Sequence, residues 1–296
     1  MLTFNNYPYS EDGRLSDGHP SDVAIVGMPS DLGVTHYYPG QRLAPTRIRE
    51  VHIWDEAETG LFTQDGRNLR EMNVVDTGDA FVYTGDLVAT LTSFVDHVEA
   101  IRSHTDTVVI LGGDNSVSLA GLRGFGDKRP WLILFDAHSD MYQSVDGESV
   151  DHGNWVMQAF DEDLIEGVVF VGVRSYDETA EHYGIYADRC TDDVTKLPQD
   201  SVVYIAVDMD VVDPAYAPGV GTREPFGMAP SSLLQMLEAF IMYHEVCGVD
   251  FTEVLPSRDH DNMTSELAAQ LVMKVIDTLH LKKTLRKSTL AVVPDA

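Results

Sequence analysis

The recurrence of short apolar runs constrains the fold of this chain more than any other feature. Each run is four to six residues long, is rich in valine or isoleucine, and ends in a polar or glycine-rich turn. The lack of polar–apolar alternation is typical of strands buried on both faces of a parallel sheet. The predicted strands are Asp22–Val26, Met72–Val75, Thr107–Leu111, Trp131–Phe135, Val168–Val173, Val202–Val207 and Val246–Val249.

Helical patterns lie between the apolar runs. They cover Gly85–Ser103, Ser116–Gly124, Gly153–Phe160, Ser231–Tyr243 and Asn262–His280. The alternation predicts an α/β fold with three layers, αβα, around a central and mainly parallel sheet. Because no repeat, low-complexity tract or long linker interrupts the pattern, we predict one domain over residues 1–296, with 1–20 as a peripheral N-terminal segment.

The charge of the chain excludes several classes of partner. It carries 48 acidic and 20 basic residues, a net charge of −28, and only six lysines. The negative electrostatic field of such a surface repels phosphate backbones and anionic membranes, so we expect neither a nucleic-acid nor a membrane partner. The acids are dispersed, which predicts an acidic folded surface suited to a high-salt cytoplasm; an ordinary acidic enzyme is the alternative.

The compartment follows from what the chain contains. Two cysteines, Cys190 and Cys247, are too few for a disulfide scaffold, and no CxxC pair is present. No run approaches the roughly 18 apolar residues of a membrane span, and the N-terminus has no signal-peptide pattern. These observations predict a cytoplasmic location.

Two of the apolar runs, the fourth and the sixth, lead directly into paired acidic residues. The segments are Asp136-Ala137-His138-Ser139-Asp140 and Asp208-Met209-Asp210. Parallel sheets bind ligands beyond the carboxyl ends of their strands, and residues two apart on an extended segment point to the same side. Each pair alone is also typical of a turn or cap. Together they predict that both segments converge on one centre.

Such a centre needs cations, because four carboxylates would otherwise repel one another. Oxygen-rich ligands with one imidazole and no thiolate favour Mn²⁺ over a structural zinc ion. Two ions that share bridging carboxylates would lower the pKa of a bridging water and generate hydroxide as a nucleophile. The residues therefore predict a binuclear metal hydrolase.

Three blocks carry a family resemblance. Gly112-Gly113-Asp114-Asn115-Ser116, Asp136–Asp140 and the segment from Asp208 to Gly219, which ends in Asp213-Pro214-Ala215-Tyr216-Ala217-Pro218-Gly219, resemble the signature blocks of the ureohydrolase superfamily. That superfamily contains arginases, agmatinases, guanidinobutyrases and formimidoylglutamases. The likeness extends to Pro39–Pro45 and Glu253–Pro256. It implies an arginase-like catalytic domain, two Mn²⁺ ions per subunit, a small amidine or guanidine substrate, and a homo-oligomer, either a trimer or a hexamer.

The resemblance also implies roles for the metal ligands. Asp136 and Asp208 would bridge the two ions. Asp140 would complete the ligand shell of one ion, and His138 with Asp210 would complete that of the other. At position 115 most ureohydrolases carry a histidine ligand, whereas this chain has asparagine. An amide oxygen is a poorer donor to a transition metal than imidazole, so the Asn115 ion should bind more weakly. The implied ligands are Asn115, Asp136, His138, Asp140, Asp208 and Asp210.

Catalytic roles follow in the same way. His152 matches the family histidine that shuttles a proton to the leaving amine, a task that suits an imidazole. Glu253 matches the glutamate that holds the amidinium or guanidinium cation. Asp140 is predicted to be a catalytic residue as well as a metal ligand.

The first choice of substrate is N-formimino-L-glutamate, hydrolysed to L-glutamate and formamide. The GGDN block is similar to that of some formimidoylglutamases. A dicarboxylate needs arginine partners; Arg174 is the best-placed candidate, and Asn154 is a further predicted substrate contact. The weaker arginine candidates are Arg42, Arg123, Arg223 and Arg258.

Other activities stay open at this point. Asp177 resembles the arginase aspartate that contacts an α-ammonium group, whereas Tyr142 replaces the arginase asparagine that reads the α-carboxylate. An agmatinase, guanidinobutyrase or arginase-like enzyme releasing urea is therefore the alternative. A catalytically silent metal-binding relative is a third hypothesis. Single-zinc deacetylases of related fold are a fourth, but they do not account for the Asp208/Asp210 pair.

Overall fold

The computed structural model describes residues 2–35, 38–51, 68, 72–142, 149–175, 186 and 188–291. Within these residues one sheet contains eight strands in the order β2-β1-β3-β8-β7-β4-β5-β6, and every neighbouring pair is parallel. The strands are β1 (Ser21–Met28), β2 (Val74–Asp79), β3 (Thr105–Gly112), β4 (Trp131–Phe135), β5 (Val168–Val171), β6 (Cys190–Thr191), β7 (Val202–Asp208) and β8 (Glu245–Thr252).

Helices cover both faces of the sheet. They are α1 (Ala44–Glu50), α2 (Leu87–Arg102), α3 (Ser116–Gly124), α4 (Trp155–Asp161), α5 (Pro230–Tyr243) and α6 (Met263–Ala291). One core cluster joins α1, α5 and α6 to the sheet, and a second joins α2, α3 and α4. Along β7, Val203 and Ile205 pack in the first cluster and Tyr204 and Ala206 in the second, as the pleat of a doubly covered strand requires. This confirms the three-layer αβα prediction.

The seven apolar runs all form strands, and the five helical patterns all form helices. Val168–Val173 was predicted too long, because Gly172 adopts a positive φ of 98° and β5 ends at Val171. Helix α1 and the two-residue strand β6 were not predicted, since neither is long enough to show a period. In the N-terminal segment, Phe4 and Tyr7 are buried in the core. Among the described helices, none is long and apolar enough to cross a membrane.

Four neighbouring strands in the middle of the sheet, β3, β8, β7 and β4, end at the same edge. Their register is nearly level there, because Phe135 pairs with Val207, and Asp208 pairs with Thr252. The residues that follow these strands are therefore brought together at one place, as the carboxyl-edge rule for parallel sheets predicts.

Candidate active site

Three buried aspartates form the floor of the site. Asp136 follows β4, Asp208 ends β7, and Asp210 lies in the turn after it. Backbone amides fix their carboxylates: Ala137 N donates to Asp210 Oδ1 at 3.0 Å, and Asp210 N donates to Asp208 Oδ1 at 2.7 Å. A backbone amide that follows β4 thus orients an aspartate that follows the neighbouring strand β7. The cluster is therefore preformed at the edge of the sheet.

His138 completes a candidate metal-ligand group with two of these acids. Its Nδ1 lies 3.1 Å from Asp210 Oδ2 and 3.3 Å from Asp136 Oδ1, and the three ligand atoms lie within 4.8 Å of one another. Burial lowers the pKa of His138, but the hydrogen bonds to Asp136 and Asp210 together outweigh it and raise that pKa. Two carboxylate oxygens and one imidazole nitrogen at this spacing fit a divalent cation.

The electrostatics of the acids support the same conclusion. Burial, followed by the charges of neighbouring aspartates, raises the pKa of Asp136 and of Asp208 well above the ordinary value. Burial also raises the pKa of Asp140 to about 6. Carboxylates held this close need either protons or a cation to offset their repulsion, and a divalent ion would meet that need.

Asn115 lies on the other side of the cluster and faces it with its amide nitrogen. Nδ2 lies 2.7 Å from Asp208 Oδ2, 2.9 Å from Asp140 Oδ2 and 3.4 Å from Asp136 Oδ2. The amide oxygen accepts a hydrogen bond from the Thr252 hydroxyl. Because the amide oxygen accepts from Thr252, the NH₂ group is the end of the amide that faces the carboxylate oxygens and donates to them. This half of the cluster, unlike the His138 half, presents a hydrogen-bond donor where a second ion would need a ligand.

Asp140 is held by a residue that the sequence reasoning missed. Trp155 Nε1 donates to Asp140 Oδ2 at 2.6 Å, and both side chains are buried. Asp140 has a positive φ of 51°, an uncommon conformation for a residue with a side chain. The sequence does place a tryptophan at the start of the predicted helix, but nothing in the sequence indicates that it contacts Asp140.

His152 and Glu253, predicted to act in catalysis, lie together. Glu253 Oε1 accepts from Asn115 N at 3.0 Å and lies 3.3 Å from His152 Nδ1. Burial lowers the pKa of His152, but the hydrogen bond and charge of Glu253 outweigh it and raise that pKa to about 9. Glu253 also has a positive φ, 60°. Backbone strain of this kind is typical of functional positions.

Gln41 joins this pair and was not predicted as a site residue. Its Nε2 donates to Glu253 Oε2 at 2.8 Å. The side chain is buried, and its Oε1 has no hydrogen-bond partner among the residues that the structure describes. A buried acceptor without a partner is costly in a folded protein and points to a donor supplied by a ligand or water. The only signal was the position of Gln41 in the Pro39–Pro45 block.

The Gly113-Asp114 step shows why the first block needs glycine. A Cβ atom on Gly113 would lie 1.8 Å from Ser30 O, so only glycine allows this approach. Asp114 then accepts from Gly33 N at 2.9 Å, and Gly33 O accepts from His152 N at 3.0 Å. The block therefore fixes the loop that supports the backbone of His152.

The predicted substrate contacts gain less support. All three guanidinium nitrogens of Arg174 donate to backbone carbonyls, among them those of Asp210 and Glu224. Asn154 accepts from Asp151 N and donates to Ser149 O within its own loop. Asp177 lies outside the described residues. The substrate-binding roles of these three residues stay predictions.

The other arginine candidates are also engaged. Arg42 pairs with Asp31 at 2.6 Å, and Arg123 pairs with Glu162 at 2.6 Å. Arg223 donates to Pro218 O at 2.7 Å, and Arg258 donates to Gly221 O at 2.5 Å. Each contact holds the arginine to the protein's own surface.

The fold and the acidic centre define an αβα protein with a metal-ligand group at the carboxyl edge of a parallel sheet. The chain belongs to the arginase family, whose sequence model matches residues 21–277. This confirms the ureohydrolase resemblance. The fold of the family implies a binuclear metal site, and the Asp136–His138–Asp210 group provides a candidate for one of its two positions.

Three relatives illustrate the similarity. The agmatinase of Bacillus anthracis is 32% identical over 275 residues, covering 87% of this chain and 93% of that protein. The structure of proclavaminate amidino hydrolase from Streptomyces clavuligerus has a TM-score of 0.79 at 28% identity and covers 95% of this chain and 98% of its own. The structure of formimidoylglutamase from Bacillus subtilis has a TM-score of 0.76 at 22% identity, covers 95% of each chain, and supports the fold alone.

Proposed function

We propose that this chain is a metal-dependent hydrolase that cleaves a C–N bond of a linear guanidino compound and releases urea, with agmatine as the first substrate to test. The observation that carries the proposal is the buried acceptor pair beside the acidic centre. Glu253 offers a carboxylate, and the Oε1 of Gln41 has no hydrogen-bond partner within the described part of the chain. A guanidinium group presents five N–H donors in a plane and needs such acceptors to leave water.

The remaining chemistry follows from the neighbouring residues. Asp136, His138 and Asp210 would hold a divalent cation, which when bound supplies Lewis acidity and lowers the pKa of water. Glu253 orients the substrate cation against the centre. His152 has a pKa raised to about 9 and is therefore protonated at neutral pH in the free protein. It can donate that proton to the leaving amine.

The charges around the site favour a cationic substrate over a dicarboxylate. Arg174, the best-placed arginine, uses its donors on backbone carbonyls. Glu224 adds a half-buried carboxylate whose Oε1 lies 3.7 Å from His138 Nε2. The similarity to the Bacillus anthracis agmatinase supports the same substrate class.

N-formimino-L-glutamate is the second candidate. Asn115 favours it, because the GGDN block is the feature shared with some formimidoylglutamases. Its hydrolysis would give formamide and L-glutamate instead of urea, so the products separate the two candidates.

The test is a product assay with agmatine, 4-guanidinobutyrate, arginine and N-formimino-L-glutamate, with Mn²⁺ supplied and with high KCl to screen the acidic surface. Urea from agmatine is the expected result. Formamide from N-formimino-L-glutamate alone would favour the second candidate, and no turnover of any substrate would indicate a silent relative.

The same assay tests His152. His152→Ala should lower turnover by about 10²- to 10⁴-fold, the usual contribution of a general acid, without changing the metal content. His19→Ala is the matched control, because His19 is exposed and its backbone carbonyl accepts from Leu15 in an N-terminal turn. Equal turnover of the two variants would contradict the role of His152.

A further inference from the structure

We propose that the centre holds one firmly bound divalent cation and that the side-chain amide of Asn115 fills the second metal position. This inference rests on the proposed metal-dependent function, but it concerns how many ions the protein binds rather than what it hydrolyses. It departs from the binuclear site that the fold of the family implies.

The first step is the match between the amide and the acids around it. An amide NH₂ group has two N–H donors. Two carboxylate oxygens, Asp208 Oδ2 and Asp140 Oδ2, lie at 2.7 and 2.9 Å from Asn115 Nδ2, whereas Asp136 Oδ2 is more distant at 3.4 Å. The two donors are therefore used on Asp208 and Asp140. Asp136 keeps its other oxygen toward His138.

The second step is the orientation of the amide. Thr252 donates its hydroxyl hydrogen to Asn115 Oδ1, and the alternative acceptor, Val207 O, is 3.4 Å away. The backbone N–H of Asn115 is held by Glu253 Oε1 at 3.0 Å. The oxygen of the amide thus points away from the acids, so it is not available as a metal ligand. Thr252 is the positioning residue for this arrangement.

The third step is the difference between the two halves of the cluster. Asp140 receives two neutral donors, the Asn115 amide and the Trp155 indole. Asp210 Oδ2 instead faces the ring of His138, and an imidazole can itself bind a metal ion. Neutral donors offset the charge of Asp140 without an ion, whereas the His138 half presents ligands that converge on one point.

The experiment measures bound metal and needs no substrate. The full-length protein is stripped with a chelator, titrated with Mn²⁺ alone, and analysed for bound manganese per chain by elemental analysis and calorimetry. Electron paramagnetic resonance separates isolated Mn²⁺ ions from a coupled pair. We expect one firm ion in the wild-type protein and two in Asn115→His, because the imidazole replaces a donor with a ligand.

Thr252→Val tests the orientation separately. Loss of the hydroxyl frees the amide to turn its oxygen toward the acids, so a second ion should bind on the order of tenfold more tightly than in the wild type, the effect of one hydrogen bond. Thr107→Val is the matched control. Thr107 is a buried threonine whose hydroxyl donates to Val246 O at 3.0 Å, and it lies in β3 before the carboxyl edge of the sheet.

The outcomes are decisive in both directions. One ion in the wild type with two in Asn115→His supports the proposal. Two wild-type ions with dissociation constants within tenfold of each other, or an unchanged count in Asn115→His, overturns it. Equal affinities for the second ion in Thr252→Val and Thr107→Val would show that Thr252 does not hold the orientation of the Asn115 amide. Failure to hydrolyse any guanidine would instead contradict the proposed function and leave these counts unaffected.

Discussion

Trp155→Phe tests whether the indole N–H orients and stabilises the acidic centre. The tryptophan is fully buried at the start of α4, and its Nε1 donates to Asp140 Oδ2 at 2.6 Å. Phenylalanine keeps an aromatic ring in the same place but removes the donor. The substitution therefore isolates the hydrogen bond more cleanly than a change to alanine would.

The expected loss follows from the contact. A hydrogen bond to a charged group contributes about 1.5–3 kcal/mol, and leaving its buried partner short of a donor accounts for that loss. The smaller ring adds about 1 kcal/mol for the void beside it. In the variant, Asp140 still accepts a hydrogen bond from the Asn115 amide, so its carboxylate does not lose all its donors. We expect a total loss of about 2.5–4 kcal/mol in the free energy of unfolding.

Urea unfolding at fixed salt measures this loss, because the midpoint and slope together give the free energy of unfolding. Trp131→Phe is the matched control, since Trp131 is half-buried at the start of β4, far along the strand from Asp136. That control should lose no more than about 1 kcal/mol. If Trp155→Phe is no more destabilised than Trp131→Phe, the hydrogen bond to Asp140 does not stabilise the fold and the reasoning is refuted.

Three further predictions concern other parts of the molecule. Burial raises the pKa of Asp250, which accepts from the Tyr204 hydroxyl, to about 6, above its unfolded value of 3.8, so the folded state loses stability as pH rises between these values. Asp250→Asn removes this dependence, and its free energy of unfolding relative to wild type should rise by about 2.4 kcal/mol from pH 4 to pH 7; a difference independent of pH would contradict it. Arg174→Met should lower the free energy of unfolding in urea by more than about 2 kcal/mol, because several backbone carbonyls lose their hydrogen-bond donor. Unchanged stability with a selective rise in KM for carboxylate substrates would instead indicate that Arg174 binds the substrate. Glu224→Gln should weaken Mn²⁺ binding about tenfold in calorimetry, because the carboxylate faces His138 Nε2; unchanged affinity would exclude that support.

The fold and the candidate metal-ligand group were predictable from local pattern. Strand ends can be read from where an apolar run stops, and the parallel topology then requires that these ends meet. Asp136, His138 and Asp210 come together for this reason. The positions of His152 and Glu253 followed from family blocks, and the structure brings them to 3.3 Å.

The contacts that adjust the site were not predictable in the same way. Gln41 and Glu253 are 212 residues apart, and Asn115 and Thr252 are 137 apart. No periodicity or motif encodes such pairs, because they depend on which loops pack together after the sheet has formed. Arg174 shows the converse: its position after β5 was predicted, but the loop carbonyls that use its donors become neighbours only in the folded chain.

The strand order of the sheet has a consequence for biosynthesis. Strand β8 comes last in sequence among the described strands, yet it lies between β3 and β7 in the middle of the sheet. A nascent chain that lacks it has a gap where the two halves of the sheet should join, and it lacks Glu253 and Thr252 as well. Long-range parallel pairing of this kind is slow and leaves unpaired strand edges during folding. The complete site, with Glu253 and Thr252 in place beside the acidic centre, is therefore expected to form late, only after β8 has inserted between β3 and β7.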